Sequence, residues 1–226
     1  TDLSTGTNNY PITEWNWTFT NNVTSTDQNA TNIYSNFGTN YAELTVTNSV
    51  GCDDIINTSE VLVHPNPTAN FEFQSHFCEE DSVYFFDQSS IIQSTDDEIV
   101  DWSWTFGSVG NSSTPSPTFV FDQFGDHEIV LEVTSNNGCV STDTQNVHIN
   151  PLPEVVIDAN ILEGCQPLAV QFSSLSTIET GYYLDSWEWD FGDGSGTADA
   201  QHPGHDFMGA PDGDTSTFVY DITLTV

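Results

Sequence analysis

Apolar and polar residues alternate with a period of two in short runs along the chain. "AELTVT" (42–47), "HEIVLEVT" (127–134) and "DITLTV" (221–226) each send every second side chain to one face. That is the period of half-buried β-strands, and no stretch shows a competing helical period. In the middle of the chain the pattern predicts strands over "NFEFQ" (70–74), "VYFFDQS" (83–89) and "VDWSWTF" (100–106). A short strand follows near "TFVF" (118–121), then "HEIVLEVT" and "TDTQNVHI" (142–149). The fold class that follows is all-β.

The pattern repeats. All six tryptophans fall in W-x-W pairs, Trp15/Trp17, Trp102/Trp104 and Trp187/Trp189, spaced by 87 and then 85 residues. Cys52 and Cys139 stand 87 apart, as do Cys78 and Cys165. The stretches "VLVHPNPTANFEF" and "NVHINPLPEVVI" correspond as well. Such recurrence reads as a tandem array with units at 1–66, 67–151 and 152–226. The first unit starts inside its second strand, because "TDLSTGTNNYPITEWNW" matches "SSLSTIETGYYLDSWEW"; the third stops at "DITLTV". About seven short strands in the middle unit are the content of an immunoglobulin-like sandwich with a tryptophan in its core. Alternation places both rings of each W-x-W pair on one face, so all six tryptophans are expected to be core elements. The prolines of "HPNP" and "NPLP" restrict φ and leave few residues to bend, which predicts a stiff, elongated rod.

Charge narrows the function. The chain of 226 residues has 34 acidic residues, six histidines and no lysine or arginine, for a net charge of −34. Phosphate binding depends on lysine and arginine, so nucleic acid is excluded as a partner, and anionic membrane surfaces equally. Self-repulsion at this charge predicts stability that depends on salt or divalent cations. The absence of basic residues also predicts resistance to trypsin-type cleavage. No apolar run reaches the roughly 18 residues of a membrane span, so the chain is not expected to be membrane-embedded. With Thr1 in place of an initiator methionine and no signal peptide, the sequence reads as a piece of a longer protein.

The densest candidate chemistry is "DSWEWDFGDGSG" (185–196). Its glycines supply φ > 0 and its aspartates can bond their own downstream N–H groups, so a tight corner is the first reading. Calcium is the possible cofactor, because Asp190, Asp193, Asp199, Asp212 and Asp214 offer hard oxygen ligands. The spacing is not that of an EF-hand. A second acidic run, Asp96, Asp97, Glu98 and Asp101, precedes a tryptophan strand and is an alternative cation site. His202 and His205 beside Asp199 and Asp206 raise zinc, with a packing role for His205 favoured. Glycoside hydrolysis needs paired carboxylates in a cleft, which a small sandwich with scattered carboxylates does not provide. No nucleophile stands beside a base, so no enzymatic activity is expected.

The third unit resembles a known family. "SWEWDFGDGSGTADAQHPGHDF" followed by "YDITLTV" is similar to the PKD domain, the repeat first described in the polycystic kidney disease protein. Trp189, Phe191, Gly192, Asp193 and Gly194 match its W-x-F-G-D-G block; Pro203, His205 and Phe207 match its P-x-H-x-Y/F element. The first two units lack the second aspartate-glycine pair and share chiefly the tryptophans, the following strands and the period. "GCQPLAVQF" and "NNGC" are similar to PKD repeats of giant Bacteroidota surface proteins, including gliding adhesins exported by type IX secretion. The resemblance implies an extracellular or cell-surface stalk or filament segment of a repeat adhesin, with neighbouring repeats as partners. The alternative it leaves open is a set of accessory domains of a secreted hydrolase, presenting or binding polysaccharide or protein.

For an exported array, Cys52, Cys78, Cys139 and Cys165 are disulfide candidates. Cys78 and Cys139 fall at opposite ends of the predicted middle sandwich, and a strand spans ~20 Å where a disulfide tolerates about 7 Å between Cα atoms. Partners in neighbouring repeats are therefore preferred, and an internal Cys78–Cys139 bond stays open. "DSV" (81–83) resembles a Bacteroidota O-glycosylation acceptor at Ser82, and "NWT", "NVT", "NAT", "NTS" and "NSS" fit the N-glycosylation pattern.

Overall fold

The computed structural model describes residues 1–58, 60–92, 96–208 and 217–226, and every regular element in them is a strand. The first stretch holds β1 (Ile12–Phe19), β2 (Thr24–Ser25), β3 (Gly38–Asn40), β4 (Ala42–Asn48), β5 (Asp53–Asn57) and β6 (Val61–Val63). Next come β7 (Phe71–Phe73), β8 (Phe77–Cys78), β9 (Ser82–Asp87), β10 (Ile99–Phe106), β11 (Gly110–Ser112), β12 (Thr118–Val120), β13 (Gly125–Ser135) and β14 (Val140–Asn150). The last are β15 (Ile157–Ala159), β16 (Leu168–Ser174), β17 (Glu188–Asp190), β18 (Thr197–Ala198), β19 (Gly204–Phe207) and β20 (Thr223–Thr225).

The tryptophan strands pair in one repeated register. Trp15, Trp17 and Phe19 of β1 face Val46, Leu44 and Ala42 of β4. Trp102, Trp104 and Phe106 of β10 face Val133, Leu131 and Ile129 of β13. Each pairing carries a bulge at the same relative place, Ile12/Glu14 and Ile99/Asp101. Trp189 of β17 faces Leu224 of β20 in the same way. The sheets run β2-β1-β4-β5, β3-β6, β11-β10-β13-β14-β8, β12-β9-β7, β15-β16-β19 and β18-β17-β20.

In the middle stretch the strands not predicted from the sequence are β8 and β11. They are two and three residues long, too short to show alternation. β8 runs parallel to β14, with Phe77 and Cys78 against Ile149 and Asn150, whereas β11 folds back on β10. β14 also starts earlier than its apolar residues suggest, because its exposed first half contributes no alternation of apolar side chains.

By contact density the chain forms two compact units. One comprises Thr1–Gln74, Tyr84–Phe119 and His127–Val147; the other comprises Ser75–Val83, Val120–Asp126 and His148–Val226. In the first, Trp17, Phe19, Ala42 and Leu44 form one buried cluster. Elsewhere in that unit Trp104 stacks edge-on against Phe71 at 5.1 Å, while Phe106 lies 5.1 Å from Phe85 and 4.4 Å from Phe119. Aromatic pairs at such spacings add to the area they bury. In the second unit Val170, Phe172, Trp189, Phe191, Phe207 and Leu224 close the core.

Candidate functional site

The six tryptophans divide into two roles. Trp17, Trp104 and Trp189 are buried, whereas Trp15, Trp102 and Trp187, nearer the start of the strand, are half-buried. In the first two copies the half-buried indole N–H donates to a carboxylate: Trp15 Nε1 to Asp2 Oδ2 and Trp102 Nε1 to Asp87 Oδ2, both at 2.7 Å. The other carboxylate oxygen accepts a backbone N–H two residues on, from Ser4 at 2.8 Å and from Ser89 at 2.9 Å. The bonds from Ser4, with Trp15 and Gln28 adding, hold the Asp2 carboxyl at a pKa of about 2. In the third copy Ser174 takes the aspartate's place, its Oγ accepting the Ser176 N–H at 3.4 Å. Trp187 Nε1 is then buried without a hydrogen-bond partner among the described residues. The signal in the sequence is Asp-x-Ser at 2–4 and 87–89, matched by "SLS" at 174–176, upstream of each W-x-W. Reading the tryptophans as core alone missed it.

The acidic corner is built from successive turns. Asp190 Oδ1 accepts the Gly192 N–H at 2.9 Å, and Asp193 Oδ1 accepts the Ser195 N–H at 3.0 Å. Gly192, Gly194 and Gly196 have φ of 69°, 78° and 109°, and a Cβ at Gly192 would lie 2.5 Å from the Asp221 carbonyl oxygen. Asp193 Oδ2 sits 2.8 Å from His205 Nε2. The His205 ring stacks on Phe191 at 4.0 Å and meets Phe207 edge-on at 4.6 Å. Hydrogen bonds from Ser195 and then His205 hold the Asp193 carboxyl at a pKa of about 2. Asp199 is exposed beyond β18, and Asp212 and Asp214 lie outside the described residues.

Histidine partners two further carboxylates. Asp97, its side chain buried, lies 2.9 Å from His64 Nδ1 and accepts Asn137 Nδ2 at 2.8 Å. His148 Nδ1 lies 2.7 Å from Asp126 Oδ1, and its Nε2 is 3.0 Å from the Tyr182 hydroxyl. Asp96, Glu98, Asp101 and His202 are exposed. Among the described residues, no three His, Cys, Asp or Glu side chains come together as a metal-binding group. Asp190 Oδ1 and Asp193 Oδ1 accept the N–H groups of Gly192 and Ser195, and Asp193 Oδ2 faces His205, so these oxygens first of all fix the corner.

Among the described residues Cys52, Cys78, Cys139 and Cys165 form no disulfide with one another, which is also what pairing with neighbouring repeats would give. The internal Cys78–Cys139 bond fails on geometry. Cys139 directly precedes β14, while Cys78 pairs beside its last residue, Asn150, and eleven strand residues span ~35 Å. Ser82 is exposed at the start of β9.

The Trp102 hairpin, with its indole held by Asp87, lies inside a stretch of recognisable type. Residues 64–151 match the PKD domain family. Over 91 residues the chain is 28% identical to collagenase ColA of Clostridium perfringens (strain 13 / Type A), covering 40% of this chain and 8% of the collagenase. This chain thus spans less than a tenth of that relative. The PKD1 domain from the Vibrio cholerae metalloprotease PrtV is 28% identical, covering 37% of this chain and 96% of that domain, with a TM-score of 0.33. The PKD1 domain of Vibrio anguillarum Epp is 29% identical, covering 38% and 96%, with a TM-score of 0.34. The PKD match contains both Asp87 and Trp102, and ends just before the β15–β20 stretch in which Asp193 and His205 pair.

Proposed function

We propose that this chain is a non-catalytic segment of an extracellular protein, built as three successive PKD-like sandwiches over 1–66, 67–151 and 152–226. Its work is to hold other parts of the protein apart as a stiff spacer. The observation that supports this reading is the tryptophan hairpin, which recurs with the same register and the same bulge in β1/β4 and β10/β13. Histidine and carboxylate side chains meet two by two, as His64–Asp97, His148–Asp126 and His205–Asp193, in packing and turn contacts. In the fuller form of the reading the segment is a stalk or filament of a cell-surface repeat adhesin serving attachment or gliding, with neighbouring repeats as its contacts. No helix among the described residues is long and apolar enough to cross a membrane.

One observation favours a second setting. The alignment with the collagenase occupies a small part of a much longer enzyme, so a segment of this type accompanies a catalytic chain there. On that reading the sandwiches are accessory domains of a secreted hydrolase.

Small-angle scattering in moderate salt tests the spacer. A compact globule of this length has a radius of gyration of about 17 Å. Three sandwiches end to end, each about as long as an eleven-residue strand, give roughly 30 Å. A value near that of the globule refutes the spacer in either setting.

A further inference from the structure

Tyr84 and Phe86 are two large aromatic side chains that the fold does not use. They alternate along β9 with Val83 and Phe85, which are 0% and 1% exposed, whereas Tyr84 and Phe86 are 48% and 40% exposed. β16 carries the corresponding sequence, and there Val170 and Phe172 hold the buried places. Its outward places hold Gln171 and Ser173. The inward residues recur between the two strands, while the outward ones change from glutamine and serine to tyrosine and phenylalanine. Folding therefore does not require aromatic rings at these outward positions, and paired rings left in water need another reason.

The surroundings indicate the ligand. Positions two apart on a strand share a face and stand ~6.7 Å from each other. Glu72 of β7 is the direct cross-strand neighbour of Phe86, and its carboxylate accepts a hydrogen bond from Gln88 Nε2 at 3.0 Å. Ser82 of β9 and Thr118 of β12 are exposed in the same sheet. The result is a flat strip with rings at its centre and hydroxyl, amide and carboxylate groups at its rim. A chain with a net charge of −34 and no lysine or arginine repels polyanions. So few residues fall far short of the roughly 20–30 per side of a stable protein interface. Pyranose rings fit both features, since their C–H faces lie on aromatic rings while their hydroxyls reach polar groups beside them.

We propose that the outward face of β7 and β9 binds a strand of uncharged polysaccharide, with Tyr84 and Phe86 as the stacking platform and Glu72 and Gln88 as the hydrogen-bonding rim. This inference rests on the reading of the chain as a non-catalytic extracellular segment and adds a ligand to it. The test is native gel electrophoresis of the whole chain through gels holding hydroxyethylcellulose, xyloglucan, laminarin or galactomannan, with alginate as the polyanion control. Retardation is expected in at least one neutral polymer and not in alginate. The double variant Tyr84→Gln/Phe86→Ser, which installs the residues β16 carries, is expected to weaken that association at least about tenfold while keeping the parent's melting temperature within a few degrees. No retardation by any neutral polymer, or equal retardation of parent and double variant, overturns the proposal. Retention on gelatin in place of the polysaccharides, lost in the double variant, also overturns it and gives the face to a protein partner. A compact scattering radius sinks the spacer and leaves the gel result standing, whereas a negative gel result leaves the spacer intact.

Discussion

The Asp87 carboxylate bridges a turn and an indole, and replacing it measures what that bridge contributes. Asp87→Ser keeps a turn acceptor of the kind Ser174 provides and removes the carboxylate that Trp102 Nε1 reaches at 2.7 Å. A hydrogen bond to a charged group contributes about 1.5–3 kcal/mol, and leaving a buried donor unpaired costs a similar amount. With Asp87 and Trp102 both half-buried, we expect a loss of about 2 kcal/mol. For a sandwich of under a hundred residues that corresponds to a fall in Tm of about 8–16 °C. The assay is a double-mutant cycle by urea and thermal denaturation with Trp102→Phe, which keeps an aromatic ring and deletes the N–H. In that background Asp87→Ser should lose less than about 1 kcal/mol, giving a coupling energy of at least about 1 kcal/mol. A coupling below about 0.5 kcal/mol refutes the bridge as a source of stability.

Gly192→Ala should destabilise far more than Gly194→Ala in thermal melts. Both have positive φ, which costs a non-glycine residue about 1–2 kcal/mol, but only at Gly192 would the Cβ run into the Asp221 backbone; equal losses would contradict this. The Asp193 carboxyl, held at a pKa of about 2, contributes stability that is fully present above its unfolded value near 3.8 and lost as pH falls through about 2. The gap in Tm between parent and Asp193→Asn should therefore close between pH 4 and pH 2, and a gap constant over that range would count against the Ser195 and His205 bonds. Sodium chloride should raise Tm by screening the net charge of −34, and calcium at matched ionic strength should add nothing further. A calcium-specific rise abolished by Asp193→Asn would place a cation at the corner.

Alternation made the core strands legible, because "VYFFDQS" and "HEIVLEVT" each bury one face and wet the other. The Asp190–Gly196 corner was legible from residue types, since aspartate accepts the N–H two residues on and glycine tolerates positive φ. The bond from tryptophan to aspartate was not. Its partners lie 13 and 15 residues apart across loops of unequal length, and the third copy replaces the acceptor with serine. The cysteines show the reverse case. Their separation was legible, since the predicted strand order set Cys78 and Cys139 at opposite ends of the middle sandwich, but the exposed first half of β14 that lengthens it leaves no apolar trace. The stacking of His205 between Phe191 and Phe207 likewise joins β19 to a corner that no local pattern connects.

β8 is only two residues long, yet its direction decides how it would respond to a pull on the chain. Phe77 and Cys78 run parallel to Ile149 and Asn150; the Asn150 Nδ2 donates to the Phe77 carbonyl, and the Glu79 N–H donates to the Asn150 carbonyl. The Glu79 carboxylate also accepts the N–H groups of Phe124 and Leu152, on either side of this clasp. Tension arriving through Pro151 would pull Asn150 along the strand axis, across bonds that lie transverse to it. Those bonds would be sheared together and not peeled one at a time, so the end of β14 is the place where a pulled chain meets its first resistance.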